Sequence, residues 1–255
     1  MISVNKIPIT PTIFPDGTSQ VWHLPKEILK EPEPEVDWRF EQEREIIDIL
    51  SLRKLLSPRA TLYVPFLPFA RQDKTISNDT TFNLRVMAEI LNVASYRRVK
   101  TLDVHNPVIS KWVGGFENEI PHEFHLNTFQ KFKPDAVVFP DAGAAARYPY
   151  FNGIPKITLE KKRNQATGEI TSLEIKTGAH RMDACLNLLM VDDICDGGAT
   201  FLMAANVLRS ISKDCTIGLA VTHGIFSRGR NAIEDAGIQI FTTNSLPKNQ
   251  GDYEV

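Results

Sequence analysis

The chain is poor in cysteine, carries no marked excess of either charge and has no long apolar run. Its three cysteines, Cys185, Cys195 and Cys215, show no paired metal-binding spacing and leave an odd number for disulfides. Two of them border or sit in apolar stretches, where small buried thiols are common. The 31 acids against 29 bases give a formal net charge of −2, so the overall balance calls for neither nucleic acid nor an anionic membrane surface as a partner. No window approaches the roughly 20 apolar residues of a membrane span. The opening MISVNKIPITPTIFPDG also lacks the apolar centre of a secretory leader. The expectation is a soluble, cytoplasmic protein in a reducing compartment. With 42% hydrophobic residues in 255, the chain has apolar surface enough for one large core or two smaller ones.

Proline is concentrated at the start, where Pro8, Pro11, Pro15, Pro25, Pro32 and Pro34 predict short extended pieces and turns, with no helix. The spacing then predicts a helix over 41–56, with Ile46, Ile49, Leu50 and Leu56 on one face and Pro58 as its stop. Beyond it the pattern alternates. Strands are expected at 61–66, 98–104, 135–140, 156–159, 186–191, 216–221 and 238–243, with helices at 84–94, 144–147, 199–208 and 230–236. Strands that are apolar throughout and alternate with helices indicate an α/β protein with mainly parallel sheets covered on both faces. The order suggests two α/β units, 1–128 and 129–255.

The polar residues gather after the strands. LPFARQDK follows the first, then DVHNP, PDAGAAAR, EKKR, DDICDGGAT and THG follow the others. In open α/β sheets the carboxyl ends of parallel strands share one rim, and ligands bind there. Asp192 and Asp193 at such a rim can accept hydrogen bonds from neighbouring sugar hydroxyls, directly or through a cation. Gly197, Gly198 and Ala199 let the next loop wrap tightly, and its N–H groups, the Thr200 hydroxyl and the helix start form an anion cradle. An acid pair for a diol and a nest of N–H groups for a phosphate describe a ribose 5-phosphate site. For Asp196 alone, an N-cap to a buried helix is an equal reading.

LLMVDDICDGGAT resembles the ribose-phosphate loop shared by phosphoribosyltransferases and phosphoribosyl diphosphate synthetases. VPFLPFARQDK, TLDVHNP, FPDAGAAAR, the THG after a strand and the early FPDG resemble the synthetase set in the synthetase order, over about residues 12–245. The resemblance implies two phosphoribosyltransferase-like, Rossmann-like domains with the active site between them. It implies transfer of the terminal diphosphate of ATP to the anomeric hydroxyl of ribose 5-phosphate, with magnesium, giving phosphoribosyl diphosphate and AMP. His105 and Asp141 match the positions that hold the metal on the ATP phosphates, and Asp141, Ala142, Gly143 and Ala144 form the matching diphosphate loop. Phe14 and Asp16 match the adenine pocket; Arg71, Gln72 and Asp73 match the rest of the ATP side. Lys161 and Arg163 match the cationic pair that closes over the transferring diphosphate, with Asn164–Asp183 as the arm behind it. Asp192, Asp193, Asp196, Gly197, Gly198, Ala199 and Thr200 match the sugar-phosphate loop. A homo-oligomer built on a dimer, or a hexamer, is the family habit.

The chain departs from that pattern in four places. It enters FPDG by residue 14, so the usual opening strand and helix are expected to be absent or shortened. Thr18 stands where an acid is frequent, and TISNDTT at 75–81 lacks the usual cations. Gly197 stands where a phosphate-gripping threonine is usual, which clears space beside the 5-phosphate. That space motivates an alternative acceptor, a 5-extended ribose such as ADP-ribose in NAD-related metabolism. Two further alternatives are a phosphoribosyltransferase and a non-catalytic regulator of a synthetase. Retention of His105, Asp141, Lys161 and Arg163 counts against the last.

Overall fold

The computed structural model describes residues 1–75, 77–163, 170–178, 187–249 and 252–253, without the side chains of residues 163, 170 and 171. Backbone proximity divides the chain into one unit of Met1–Pro121 with Ser245–Gln250, and a second unit of His122–Asn244.

The first unit opens with antiparallel strands β1 (Ile2–Val4) and β2 (Ile7–Ile9), joined through Asn5 and Lys6, both in left-handed backbone. A small hairpin follows, β3 (Thr12–Ile13) against β4 (Ser19–Gln20), with FPDG as its tip. Helix α1 (Lys26–Lys30) corrects the expectation that the proline-rich start holds no helix. Pro25 precedes its first turn, where a missing N–H costs nothing. Then come β5 (Glu35–Trp38), α2 (Glu45–Leu55), β6 (Thr61–Tyr63), α3 (Asn83–Ala94), β7 (Arg98–Leu102) and β8 (Phe116–Glu119). The sheet order is β2-β1-β5-β6-β7-β8, with β5 to β8 mutually parallel. In α3, Leu84, Met87, Ala88 and Leu91 recur at helical spacing and are buried against Leu62, Ile49 and Leu52 of the same core.

The second unit begins with α4 (His122–Phe132), so the division expected at residue 128 falls inside a helix. It continues with β9 (Ala136–Phe139), α5 (Ala142–Arg147), β10 (Lys156–Arg163), β11 (Ile170–Thr177), β12 (Asn187–Cys195), α6 (Ala199–Ile211), β13 (Thr216–Gly224), α7 (Asn231–Glu234) and β14 (Ile238–Thr242). Its sheet order is β11-β10-β9-β12-β13-β14, parallel except for the β10–β11 hairpin. Both strands β9 and β12 are apolar and buried through their centres, as strands covered on two faces must be. The mainly parallel α/β architecture read from the sequence is the architecture present.

Two differences bear on function. Strand β12 runs on through Asp192, Asp193, Ile194 and Cys195, and β13 through Thr222, His223 and Gly224, with Ile194 in register with His223. The acids lie within a strand, where a loop was expected. Strand β10 likewise continues through Lys161 and Lys162 to Arg163, paired with β11 as the base of the expected arm. Of the expected arm, residues 164–169 and 179–183 lie outside the described residues, as does Cys185; Cys195 and Cys215 are buried thiols not in a disulfide.

Met190 is fully buried between β9 and β13, in register with Val138 and Leu219. Met190→Ala is expected to cost about 2–5 kcal/mol in urea denaturation. Val93→Ala, at a position 69% exposed, is expected to change stability by less than about 0.5 kcal/mol. Equal losses for the two variants would contradict this placement of the core.

Candidate functional site

In the second unit the site grows from three adjacent strands. Strand β9 ends at Phe139, and after Pro140 comes Asp141 in extended backbone as the N-cap of α5, its Oδ1 accepting the Ala144 N–H at 3.0 Å. On the neighbouring strand β10, the Lys161 Nζ donates to the other carboxylate oxygen of Asp141 at 2.8 Å. Burial pushes the Asp141 pKa up, but Lys161 and the N–H groups of Ala144 and Gly143 outweigh it and hold the carboxyl below its ordinary value. The residues matched to the diphosphate loop and to the catalytic lysine are thus brought together by the sheet.

Strand β12, on the other side of β9, carries the acid pair. Successive side chains on a strand point to opposite faces, and Asp192 and Asp193 meet different neighbours. Asp193, 4% exposed, is approached by the Arg147 guanidinium at 3.4 Å from the last turn of α5. Asp192 keeps part of its surface open to solvent, yet its carboxyl pKa lies well above the ordinary value. Burial is the largest cause, the Asp193 charge comes next, and the hydrogen bond with Asp193 and the charge of Asp141 add to it. The Asp193 N–H, donating to Asp192 Oδ1 at 3.0 Å, offsets only part of this. Arg147 was not read as a site residue from sequence, although its spacing six residues after Asp141 on a short helix was the available signal.

After β12 the chain turns tightly into α6. Gly198 is in left-handed backbone, φ +79°, and a Cβ there would lie 2.8 Å from Ile233 Cδ1, so no other residue fits without displacement. As a glycine it supplies no side-chain cap to α6, and N–H groups at such a helix start are suited to an anionic oxygen. The N-cap position is taken by Gly198, and the Asp196 carbonyl accepts the Ser227 N–H at 3.2 Å. Ala199 is exposed and Thr200 half-buried at the same turn.

In the first unit two predicted segments meet. The Asn106 side-chain amide donates to Asp73 Oδ2 at 2.7 Å, tying ARQD to DVHNP. Its Oδ1 accepts the Val108 N–H and starts a 3₁₀ turn at Pro107–Lys111. Gln72 is bonded to Asn83, at the start of α3, through its side chain, and to Leu84 through its carbonyl. His105 is half-buried and Arg71 exposed within these loops. Asn83 and Asn106 were not singled out from sequence. Phe14 and Asp16 sit apart in the hairpin tip, where the Asp16 carboxylate accepts both the N–H and the hydroxyl of Thr18; those bonds lower its pKa. The Arg163 backbone closes β10, and its side chain is outside the described atoms. Of the remaining histidines, His125 packs in an aromatic cluster, where burial holds its pKa down at about 3; His223 is buried on β13.

The arrangement defines a class: two α/β units with mainly parallel sheets, the second carrying acids, a lysine and a glycine turn at adjacent strand ends. Comparison with known proteins narrows it. No family model matches the chain. The ribose-phosphate pyrophosphokinase of Mycoplasmopsis pulmonis is 28% identical over 258 residues, covering 96% of this chain and 77% of its own. That of Pyrococcus abyssi is 28% identical over 245 residues, covering 92% and 82%. The crystal structure of phosphoribosylpyrophosphate synthetase from Mycobacterium smegmatis superposes with a TM-score of 0.73 at 22% identity, over 96% of this chain and 82% of that one. The fold is therefore that of the synthetase structure, and the sequence similarity to ribose-phosphate pyrophosphokinases runs along most of the chain.

The raised pKa of Asp192 gives a signed expectation. Below the ordinary carboxyl pKa both folded and unfolded chains hold the proton, and there is no penalty. As pH rises the unfolded chain ionises first, so the folded state loses relative stability until its own raised pKa is passed. Asp192→Asn is expected to raise the midpoint of thermal unfolding at pH 7–8, with the gain vanishing toward pH 3.5. A variant less stable than wild type at neutral pH would mean that the carboxylate is not strained there.

Proposed function

We propose that the chain transfers the β,γ-diphosphate of ATP to the anomeric hydroxyl of ribose 5-phosphate, yielding phosphoribosyl diphosphate and AMP. The observation that carries this is the Asp141–Lys161 pair beside the Asp192–Asp193 pair at the ends of three adjacent strands. In the reaction the C1 hydroxyl gives up its proton and its oxygen bonds to the β-phosphorus. The bond from that phosphorus to the α–β bridging oxygen breaks, and AMP leaves. Nothing covalent forms on the protein, so its work is positioning and charge neutralisation.

Each group has a role suited to its surroundings. Lys161, held by Asp141 and 16% exposed, supplies a cation where negative charge accumulates between donor and acceptor, and Arg163 at the strand end adds a second. Asp192 and Asp193 accept hydrogen bonds from the ribose hydroxyls. A diol that donates to Asp192 relieves part of the cost of its ionised form. Residues 196–200 take the 5-phosphate through backbone N–H groups and the Thr200 hydroxyl. On the first unit Arg71, Gln72, Asp73, His105, Phe14 and Asp16 serve the nucleotide.

Magnesium fits this donor set as an ion carried in on ATP. Among the described residues no three His, Cys, Asp or Glu side chains are grouped to hold a metal, and magnesium commonly uses one or two protein ligands plus substrate phosphates. Asp141 and His105 are the residues that the resemblance assigns to it. When bound, the ion neutralises phosphate charge and polarises the transferring group. A dimer-based homo-oligomer in the cytoplasm is what the resemblance to the synthetases implies. Among the described residues no helix is long and apolar enough to cross a membrane.

The test is AMP release from ATP and magnesium with ribose 5-phosphate or ADP-ribose as acceptor. Ribose 5-phosphate is expected to be the preferred acceptor, and preference for ADP-ribose would overturn that assignment. Lys161→Ala is expected to lower turnover by about 10²–10³-fold with ATP affinity nearly unchanged. A loss of only a few-fold would show that the lysine does not face the reacting phosphates.

A further inference from the structure

One cation of the second unit has no part in the reading above. Arg228 lies in the loop after β13, exposed, with no hydrogen-bond or ion-pair partner among the described residues. That loop is latched to the sugar-phosphate loop by backbone. The Ile225 and Phe226 N–H groups donate to the Cys195 carbonyl at 2.8 and 3.1 Å, and the Ser227 N–H donates to the Asp196 carbonyl at 3.2 Å. Two features hold the latch in shape. Phe226, in left-handed backbone, packs its ring so closely on Gly224 that a Cβ there would collide with it. The Phe226 ring is also covered by the Arg230 guanidinium at 5.3 Å.

The latch brings Arg228 beside Gly197. A Cβ built on Gly197 would lie 3.4 Å from Arg228 Cδ and 3.5 Å from its Nε. The arginine side chain therefore lies against the bare glycine surface, so the space left by the missing side chain of Gly197 borders a cation. An arginine here can take up a phosphate with both arms of its planar fork, and its charge is permanent.

We propose that Arg228 is a binding and specificity residue for the 5-phosphate of the acceptor, closing on it from the side left open by Gly197. This rests on the sugar-phosphate reading of residues 196–200 given above, and it assigns to this chain a phosphate contact made by a side chain from a different loop. The space beside Gly197 is then charged and not merely empty, and it selects acceptors that carry an anion at the 5-position.

Steady-state kinetics of Arg228→Gln test it. The variant is expected to raise the KM for ribose 5-phosphate about 10- to 100-fold, the loss of one or two charge-assisted hydrogen bonds. Its kcat is expected to stay within about threefold, because an interaction equal in ground and transition states moves KM alone. The KM for ATP and the thermal midpoint should not move, and Arg228→Lys should recover part of the loss. An unchanged KM for ribose 5-phosphate, or a fall in kcat at constant KM, would remove Arg228 from the site while leaving the proposed reaction intact. If the wild-type chain releases no AMP with ribose 5-phosphate, the proposed reaction fails, and titration with inorganic phosphate decides on Arg228 by itself. Weaker phosphate binding by Arg228→Gln than by wild type would uphold the anion contact; equal binding, or none by wild type, would reject it.

Discussion

The structure depends on where three adjacent parallel strands stop, two of them buried through their centres. The runs 136–139 and 188–191 are wholly apolar and must be covered on both faces, which fixes β9 and β12 side by side with β10 beyond. Once those strands are in register, Asp141, Lys161, Asp192 and Asp193 emerge together with no freedom to separate. Three carboxylates in one neighbourhood repel one another, and the fold answers with two cations. Lys161 neutralises Asp141 and Arg147 approaches Asp193. Asp192 is left with the raised pKa, which is the residual cost of the arrangement. Perturbed carboxyl groups of this kind cluster at ligand sites.

The same strand ends decide how the turn after β12 is built. Strand β12 continues past the buried core because β13 continues beside it, and Cys195 pairs with Gly224 in the last register of the ladder. The chain must then reverse into α6 within three residues, and it does so with Gly198 in a left-handed conformation. The backbone is bare there, and the adjacent loop crosses close enough to bond to it. A tight turn, a helix start and a cation from the next loop thus follow from one packing requirement.

Much of this was legible in the sequence. The alternation of apolar runs with amphipathic ones gave the α/β class, and the clustering of polar residues after strands pointed to one rim. What was not legible has identifiable reasons. Helix α4 mixes histidine, phenylalanine, asparagine and threonine, a composition with weak intrinsic helix preference, and it forms by burying Phe124, Thr128 and Phe132. Strands β5 and β8 are four residues each, and most of β8 is exposed, too little for a periodic signal. The extension of β12 through two aspartates contradicts ordinary strand preference and is imposed by pairing with β13. Arg147 left only its spacing after Asp141 as a signal, and Arg228 could not be placed from sequence because its position comes from a latch between loops about thirty residues apart.

The central claim is that these strand ends move a diphosphate, not a single phosphoryl group, onto a sugar's anomeric oxygen. Phosphorus NMR of the wild-type chain with ATP, magnesium and ribose 5-phosphate tests it directly. The account expects AMP to appear together with a pair of coupled resonances for a new diphosphate attached to C1. Formation of ADP with a single new phosphate ester would contradict it, as would an unchanged spectrum.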